Sequence, residues 1–323
     1  MACTIRIVGV LAAIVLTGCA TTFDQDGAIA VAPYHVDSSG RIVVEASING
    51  IGPFDFAVDT GASITAVFRD LREELALDHH PSESVVIRGV LSSKSVPLLV
   101  LRSLEVGDEV WVEPRVALIS DTTAADQGLD GVLGNDFLRR YAVGFSNRDQ
   151  VIRLYPPDLA SRRSYKGWAS VPLELYAVDE GVAALYFFEV VINGKKLPAL
   201  FDLGAGLNML NWPAARRFGI EPEKFRRKDS IEGVFDSARI NARLNGALVT
   251  TNNITWRNEA FMIADVEVFA TLNRDDYPAA ILGAGLFTQR DFVIDFLRNR
   301  LLVRVDMDEI DSPRTESDTP RDR

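Results

Sequence analysis

The sequence carries one long-period internal repeat, and each copy centres on an aspartate at the end of an apolar run. In the first copy Phe56-Ala57-Val58 leads into Asp59-Thr60-Gly61-Ala62-Ser63. In the second, Leu200-Phe201 leads into Asp202-Leu203-Gly204-Ala205-Gly206, 143 positions later. The tripeptide Ile48-Asn49-Gly50 precedes the first and Ile192-Asn193-Gly194 the second. A Gly-centred hairpin pattern follows each, VVIRGVLSSKSV at 85–96 and DSIEGVFDSARI at 229–240, with 144 positions between Gly89 and Gly233. Last, Gly131-Val132-Leu133-Gly134-Asn135-Asp136-Phe137-Leu138 answers Ala280-Ile281-Leu282-Gly283-Ala284-Gly285-Leu286-Phe287. Four matched features in one order at nearly constant offset indicate a duplicated unit, and a period of this kind governs the whole fold assignment.

Each unit reads as short strands. Residues 41–48 are β-rich, Asn49-Gly50 is a strong hairpin-turn signal, and 54–58 is the strand that delivers Asp59. Residues 64–77 begin as strand and finish as a short helix; 95–106, 109–119 and 129–133 add strands, and 135–140 resembles a turn of helix. Residues 141–145 and 150–155 are read as a strand pair closing the first unit, and 292–296 and 301–305 as the pair closing the second. Few segments have convincing helical spacing, so the fold class is all-β, and 323 residues suffice for two domains. The units span 30–157 and 168–306, joined by the polar, basic linker 158–167 after Pro156-Pro157; 307–323 is a charged, disordered tail. His79-His80-Pro81 is read as a solvent-exposed loop without metal-ligand spacing. A net charge of −11 argues against a nucleic-acid partner, which would want a basic face.

The N-terminus reads as an export signal. Residues 1–18 hold Arg6 and an apolar run at 7–16, too short to span a membrane as a mature helix. The run ends in Leu16-Thr17-Gly18-Cys19, which resembles a bacterial lipobox. Cleavage then leaves Cys19 as the first residue, lipidated and followed by a tether at 19–29; several acyl chains give durable anchoring where one is marginal. Ala20, and not Asp, follows Cys19, which implies the periplasmic side of the outer membrane. The other cysteine, Cys3, is removed, so the mature chain has no disulfide.

A carboxylate at the end of a buried strand is costly unless something compensates it. A turn aspartate bonding its own backbone is the plain explanation for one copy. Two copies allow another, in which each unit presents one aspartate to a shared cleft. Carboxylates held close cannot both ionise cheaply, so they share a proton and titrate as a pair. One then acts as base toward a water attacking a carbonyl, while the other donates a proton to the carbonyl oxygen. Other nucleophile patterns are lacking: there is no G-x-S-x-G and no H-E-x-x-H.

FAVDTGAS, the later GVLGNDFL and the hairpin between them resemble the retropepsin-like aspartic proteases, while two units in one chain resemble pepsin in plan. The resemblance implies a closed β barrel per lobe with the active-site cleft between them. It implies catalysis by Asp59 and Asp202, on loops formed by Thr60, Gly61, Ala62 and Ser63 and by Leu203, Gly204 and Ala205. It implies flaps carrying Gly89, Val90 and Leu91 and, in the second lobe, Gly233, Val234 and Phe235. It implies protein or peptide substrates, a monomer, and no metal or organic cofactor. The second copy departs from the pattern. Leu203 stands where the family's Thr hydroxyl bonds across to the opposite loop, and Gly206 replaces Ser63. Three readings follow: an intrachain Asp59–Asp202 dyad, Asp59 pairing with Asp59 of another chain, or an inactive peptide-binding or scaffold lipoprotein.

Overall fold

The computed structural model describes residues 27–75, 77, 79–88, 93–119, 128–162, 165–178, 183–221, 230–232, 237–239, 242–264 and 266–305. The first half contributes β1 (Ala30–Val36), β2 (Ile42–Ile48), β3 (Ile51–Val58), β4 (Ala66–Phe68), β5 (His79–Arg88), β6 (Ser93–Val100), β7 (Ser103–Val106), β8 (Glu109–Val112), β9 (Arg115–Ile119), β10 (Gly131–Leu133), β11 (Ala142–Ser146) and β12 (Val151–Tyr155). The second contributes β13 (Trp168–Pro172), β14 (Glu174–Val178), β15 (Ala183–Ile192), β16 (Lys195–Asp202), β17 (Asn208–Leu210), β18 (Ser230–Glu232), β19 (Ser237–Arg239), β20 (Ala242–Thr251), β21 (Ile254–Ile263), β22 (Ala280–Gly283), β23 (Phe292–Asp295) and β24 (Arg300–Arg304). The described helices are short, and the fold is all-β as expected.

The duplication is visible strand by strand. In the second lobe β15-β16-β22-β17-β21-β20 are neighbours in order, and β20 pairs back onto β15, closing a six-stranded barrel. In the first lobe β2-β3-β10-β4-β9-β6 run in the same order. There β6 passes through Leu101 and Arg102 into β7, which pairs with β2 and closes the ring. The tripeptide Ile-Asn-Gly has the same task in both copies. Asn49 and Gly50 have φ of 56° and 80°, Asn193 and Gly194 of 45° and 77°. Positive φ at both central residues is what a tight hairpin turn twisted with its strands requires, and Asn and Gly tolerate it. Each Asn side chain also ties down the closing strand: Oδ1 of Asn49 accepts the Ser103 N–H at 3.1 Å, and Oδ1 of Asn193 accepts the Leu248 N–H at 2.8 Å.

The strand pairs at the chain's middle and end do more than close their own units. β13-β24-β23-β11-β12-β1 form one run of six strands, antiparallel throughout, with β11 of the first half paired to β23 of the second. Both closing pairs form as expected, β11 with β12 and β23 with β24, and the two hairpins also share an edge, because an open edge of unpaired backbone groups is satisfied by the other hairpin. At the seam Phe145 lies opposite Phe292, with ring centroids 4.3 Å apart and planes 12° from parallel. Neither ring is exposed to solvent. Phe292→Ala is expected to cost about 3–5 kcal/mol, the range for a fully buried ring truncated to Ala. Urea unfolding checks this, and an unchanged midpoint would show that the stack does not hold the halves together.

Two further expectations are adjusted. His79 and His80 open β5, where His79 pairs with Leu99 before a register shift, and do not lie in a loop. The stretch 158–167 is not plain linker, since a helix at Pro157–Arg162 occupies its first part. The two hairpins form where expected, Val85 opposite Val96 and Ile231 opposite Ala238. Gly89, Val90, Leu91, Gly233, Val234 and Phe235 lie outside the described residues, as do Cys19 and the tail at 307–323.

Candidate active site

Each aspartate is delivered by a parallel strand pair in the barrel core. β3 runs beside β10 with Val58 opposite Leu133, and β16 runs beside β22 with Asp202 opposite Gly283. The apolar runs thus serve as fully buried strands, and the chain turns sharply where each run ends. At both turns the carboxylate folds back over its own loop. Asp59 Oδ1 accepts from the Gly61 and Ala62 N–H groups at 2.8 and 2.9 Å, and Asp202 Oδ1 from those of Gly204 and Ala205 at 3.0 and 3.2 Å. The residue six positions beyond each aspartate supports the partner segment: Thr65 Oγ1 accepts the Gly134 N–H at 3.1 Å, and Asn208 Oδ1 accepts the Gly283 N–H at 3.0 Å. Asp136, half-buried and with its carboxyl pushed above the ordinary range by desolvation, in turn accepts from the Thr65 hydroxyl at 2.7 Å. Ser63 sits half-buried on the first loop.

The two turns face each other. A methyl group built on Gly204 would stand 2.2 Å from the Asp59 carboxyl carbon, and one on Gly61 would stand 2.6 Å from Asp202 Oδ1. Each loop's glycine therefore leaves the space that the other loop's carboxyl occupies. Asp59 and Asp202 are hydrogen-bonded to each other. Burial is the largest effect on both and disfavours ionisation. It raises Asp59, against which the Gly61 and Ala62 N–H groups, the Arg41 charge and the bond from Asp202 pull downward. Burial and the Asp59 charge push Asp202 up to about 8. The mutual bond favours the charged form of Asp59 and the neutral form of Asp202. The pair therefore holds on to a proton to a higher pH than two ordinary aspartates do.

The cross-lobe grip survives in part. Thr60 Oγ1 donates to the Phe201 carbonyl and accepts the Leu203 N–H, both at 2.9 Å. Leu203 is fully buried and has no hydroxyl to reciprocate; it packs in the main core. The sequence pattern did not single out Arg41 or Asn135. Arg41 is paired with Asp37 at 2.7 Å in a turn whose Ser39 and Gly40 lie against Gly206 of the second loop. Asn135 is 1% exposed, and its Nδ2 donates to the Thr60 and Ala184 carbonyls, both at 2.8 Å. For Asn135 a signal existed, since it directly follows the apolar-apolar-Gly segment. Arg41 had none beyond its place after Gly40.

Comparison with known proteins agrees with this architecture. Residues 44–137, which include the first aspartate loop and its supporting segment, match the family model described as aspartyl protease. Among solved structures, an aspartic proteinase from Irpex lacteus superposes with a TM-score of 0.55 at 14% identity, covering 86% of this chain and 97% of that one. Conglutin gamma, a basic 7S globulin from lupine seeds, superposes with a TM-score of 0.51 at 11% identity, covering 86% and 95%. No curated protein sequence matches the chain.

Proposed function

We propose that this chain, with an aspartyl-protease segment in its first half and the fold of an aspartic proteinase throughout, is an endopeptidase hydrolysing protein or peptide substrates through Asp59 and Asp202. The observation that carries the reading is the pair itself: a half-buried Asp59 and a buried Asp202 from duplicated loops, hydrogen-bonded to each other, with asymmetric surroundings. Asp59 takes a proton from a water as the water oxygen bonds to the substrate carbonyl carbon. Asp202 gives its proton to the carbonyl oxygen, so no bare oxyanion builds up. Collapse then breaks the C–N bond: Asp59 passes its proton to the leaving nitrogen, and Asp202 recovers one from the diol oxygen. Neither aspartate is consumed, and no group beyond the pair and water is required.

The pair sets the pH range. Asp202 must keep its proton, so cleavage is expected to fall as pH rises through about 8. On the acid side it falls as Asp59 protonates, at a pH above that of an ordinary aspartate. The test is cleavage of a peptide library by the mature chain across pH. Sustained turnover well above pH 8 would contradict the dyad.

The second reading, a peptide-binding lipoprotein without catalysis, is favoured by one observation: Leu203 removes half of the reciprocal hydroxyl grip. The fold alone does not decide, because it is shared with a seed globulin. No cleavage by the wild-type chain at any pH would favour this reading. Residues 16–19, Leu-Thr-Gly-Cys, support placement of the enzyme on a lipid anchor at Cys19, and Ala20 after it supports the periplasmic side of the outer membrane. Labelling of the chain by radioactive palmitate, lost in Cys19→Ala, tests the anchor.

A further inference from the structure

Behind the aspartates, two side chains of the first lobe, Thr60 and Asn135, reach across to the second. Thr60 reaches the Phe201 carbonyl and the Leu203 N–H with its side chain. Asn135 bonds the Thr60 carbonyl of its own lobe and the Ala184 carbonyl of the other. At the matching positions the second lobe has Leu203 and Ala284, which carry no polar side-chain atom. The match of Ala284 to Asn135 follows from the backbone: the Asn135 N–H donates to the Ala62 carbonyl at 2.8 Å, and the Ala284 N–H to the Ala205 carbonyl at 2.7 Å.

Asn135 is an expensive residue to keep at this place. Its Oδ1 is buried without a hydrogen-bond partner among the described residues, which disfavours the folded state. Turning the amide over would not help, because Oδ1 would then face two carbonyl oxygens. The two Nδ2 donor bonds are therefore what the fold gains from this side chain. One ends on Ala184, in the second lobe. The other ends on the Thr60 carbonyl, whose own peptide carries the Gly61 N–H that donates to Asp59 Oδ1 at 2.8 Å. A peptide hydrogen-bonded at both its oxygen and its N–H is polarised and held in orientation.

We infer that Asn135 is a positioning residue that stands in for the hydroxyl missing at Leu203, holding the Asp59 loop against the second lobe so that both carboxyls reach one proton. Only the turnover arm of the test below rests on the peptidase reading; the structural arm does not. The outside charge acting on Asp59 is Arg41, and none of the variants below alters it.

The test is carboxyl-carbon NMR titration of aspartate-labelled protein, which needs no turnover, together with peptide cleavage against pH. In Asn135→Ala the loops relax apart and the like-charge contribution to Asp202 weakens. The high apparent pKa of the pair is expected to drop by about one unit or more. The alkaline limb of cleavage moves down with it, and kcat falls about tenfold while KM stays near the wild-type value. Adding Leu203→Thr to Asn135→Ala restores the second hydroxyl and is expected to return the titration most of the way, an interaction that independent sites do not show. A lower melting temperature with an unchanged titration would mean that Asn135 only stabilises the fold, and would overturn the inference. Failure of Leu203→Thr to restore the titration would overturn the stand-in role. Should Asn135→Ala not fold, Asn135→Ser, which keeps one short donor, is expected to shift the titration in the same direction by less, and no shift overturns the inference. A wild-type chain that cleaves nothing but titrates as described would sink the peptidase reading alone.

Discussion

Asp202→Asn is expected to abolish peptide cleavage while making the protein more stable near neutral pH. The first effect follows from the chemistry. The amide cannot give a proton to the substrate carbonyl, and a positioned general acid contributes about 10²–10⁴ in rate. The residues of the pair act as a unit, so removal of one should leave little of that factor. The second effect follows from proton linkage. An aspartate in the unfolded chain ionises near 3.9, whereas Asp202 in the fold holds its proton to about 8. Between these values the folded state binds a proton that the unfolded state has released. Stability therefore falls as pH rises through that window and is greatest below it. The loss amounts to several kcal/mol, because a tenfold change in proton affinity between the folded and unfolded chain corresponds to about 1.4 kcal/mol. Asn has no proton to lose, so the variant's stability should change much less from about pH 4 to about pH 8. Urea unfolding at several pH values reads this directly. Equal slopes in wild type and variant would mean that Asp202 does not hold the proton.

Gly204→Ala is expected to be as damaging as losing an aspartate, though no chemical group is removed. Its methyl would arrive 2.2 Å from the Asp59 carboxyl carbon, closer than any contact can be. Neither Gly204 nor Gly61 has the positive φ that would make glycine a backbone necessity, so the constraint is space alone. Relief requires Asp59 to leave its position or the second loop to withdraw, and either separates the carboxyls. Overpacking of this kind costs about 1–3 kcal/mol. A misplacement on the order of 1 Å at reacting groups costs about 10²-fold in rate. The paired measurement is kcat/KM with thermal unfolding: activity should fall at least about a hundredfold in protein that still folds. Gly61→Ala should behave alike, with its methyl 2.6 Å from Asp202 Oδ1. Wild-type activity in either variant would mean that the two loops do not face each other as described.

The parts of the molecule that could be read in advance are those encoded locally. Asn-Gly at a hairpin turn, an apolar run ending in Asp, and an apolar-apolar-Gly segment each fix a few residues of backbone, and repetition makes each far less accidental. The pairing of β11 with β23 was not legible in this way. Nothing in 142–146 or 292–295 names its partner; the hairpins meet because the duplicated lobes present open edges to each other. The Asn135 clamp was hidden for a related reason. One of its acceptors, the Ala184 carbonyl, is 49 residues distant and belongs to a main chain that has no side-chain signature. Leu203 could be seen as a departure from the repeat, but not that its backbone N–H still donates to the Thr60 hydroxyl. His79 and His80 looked like a loop because Pro81 follows them, yet β5 runs through that proline beside a register shift.

The central claim is that Asp59 and Asp202 of one chain share one proton. It is tested most directly by carboxyl-carbon NMR of the wild-type protein, at a dilution where the chain is monomeric, titrated from about pH 3 to about pH 9. The account predicts one carboxyl that stays protonated until about pH 8, and loses that high pKa when Asp59 is replaced by Asn. Two carboxyls fully ionised by about pH 5, each titrating like an ordinary aspartate, would contradict it.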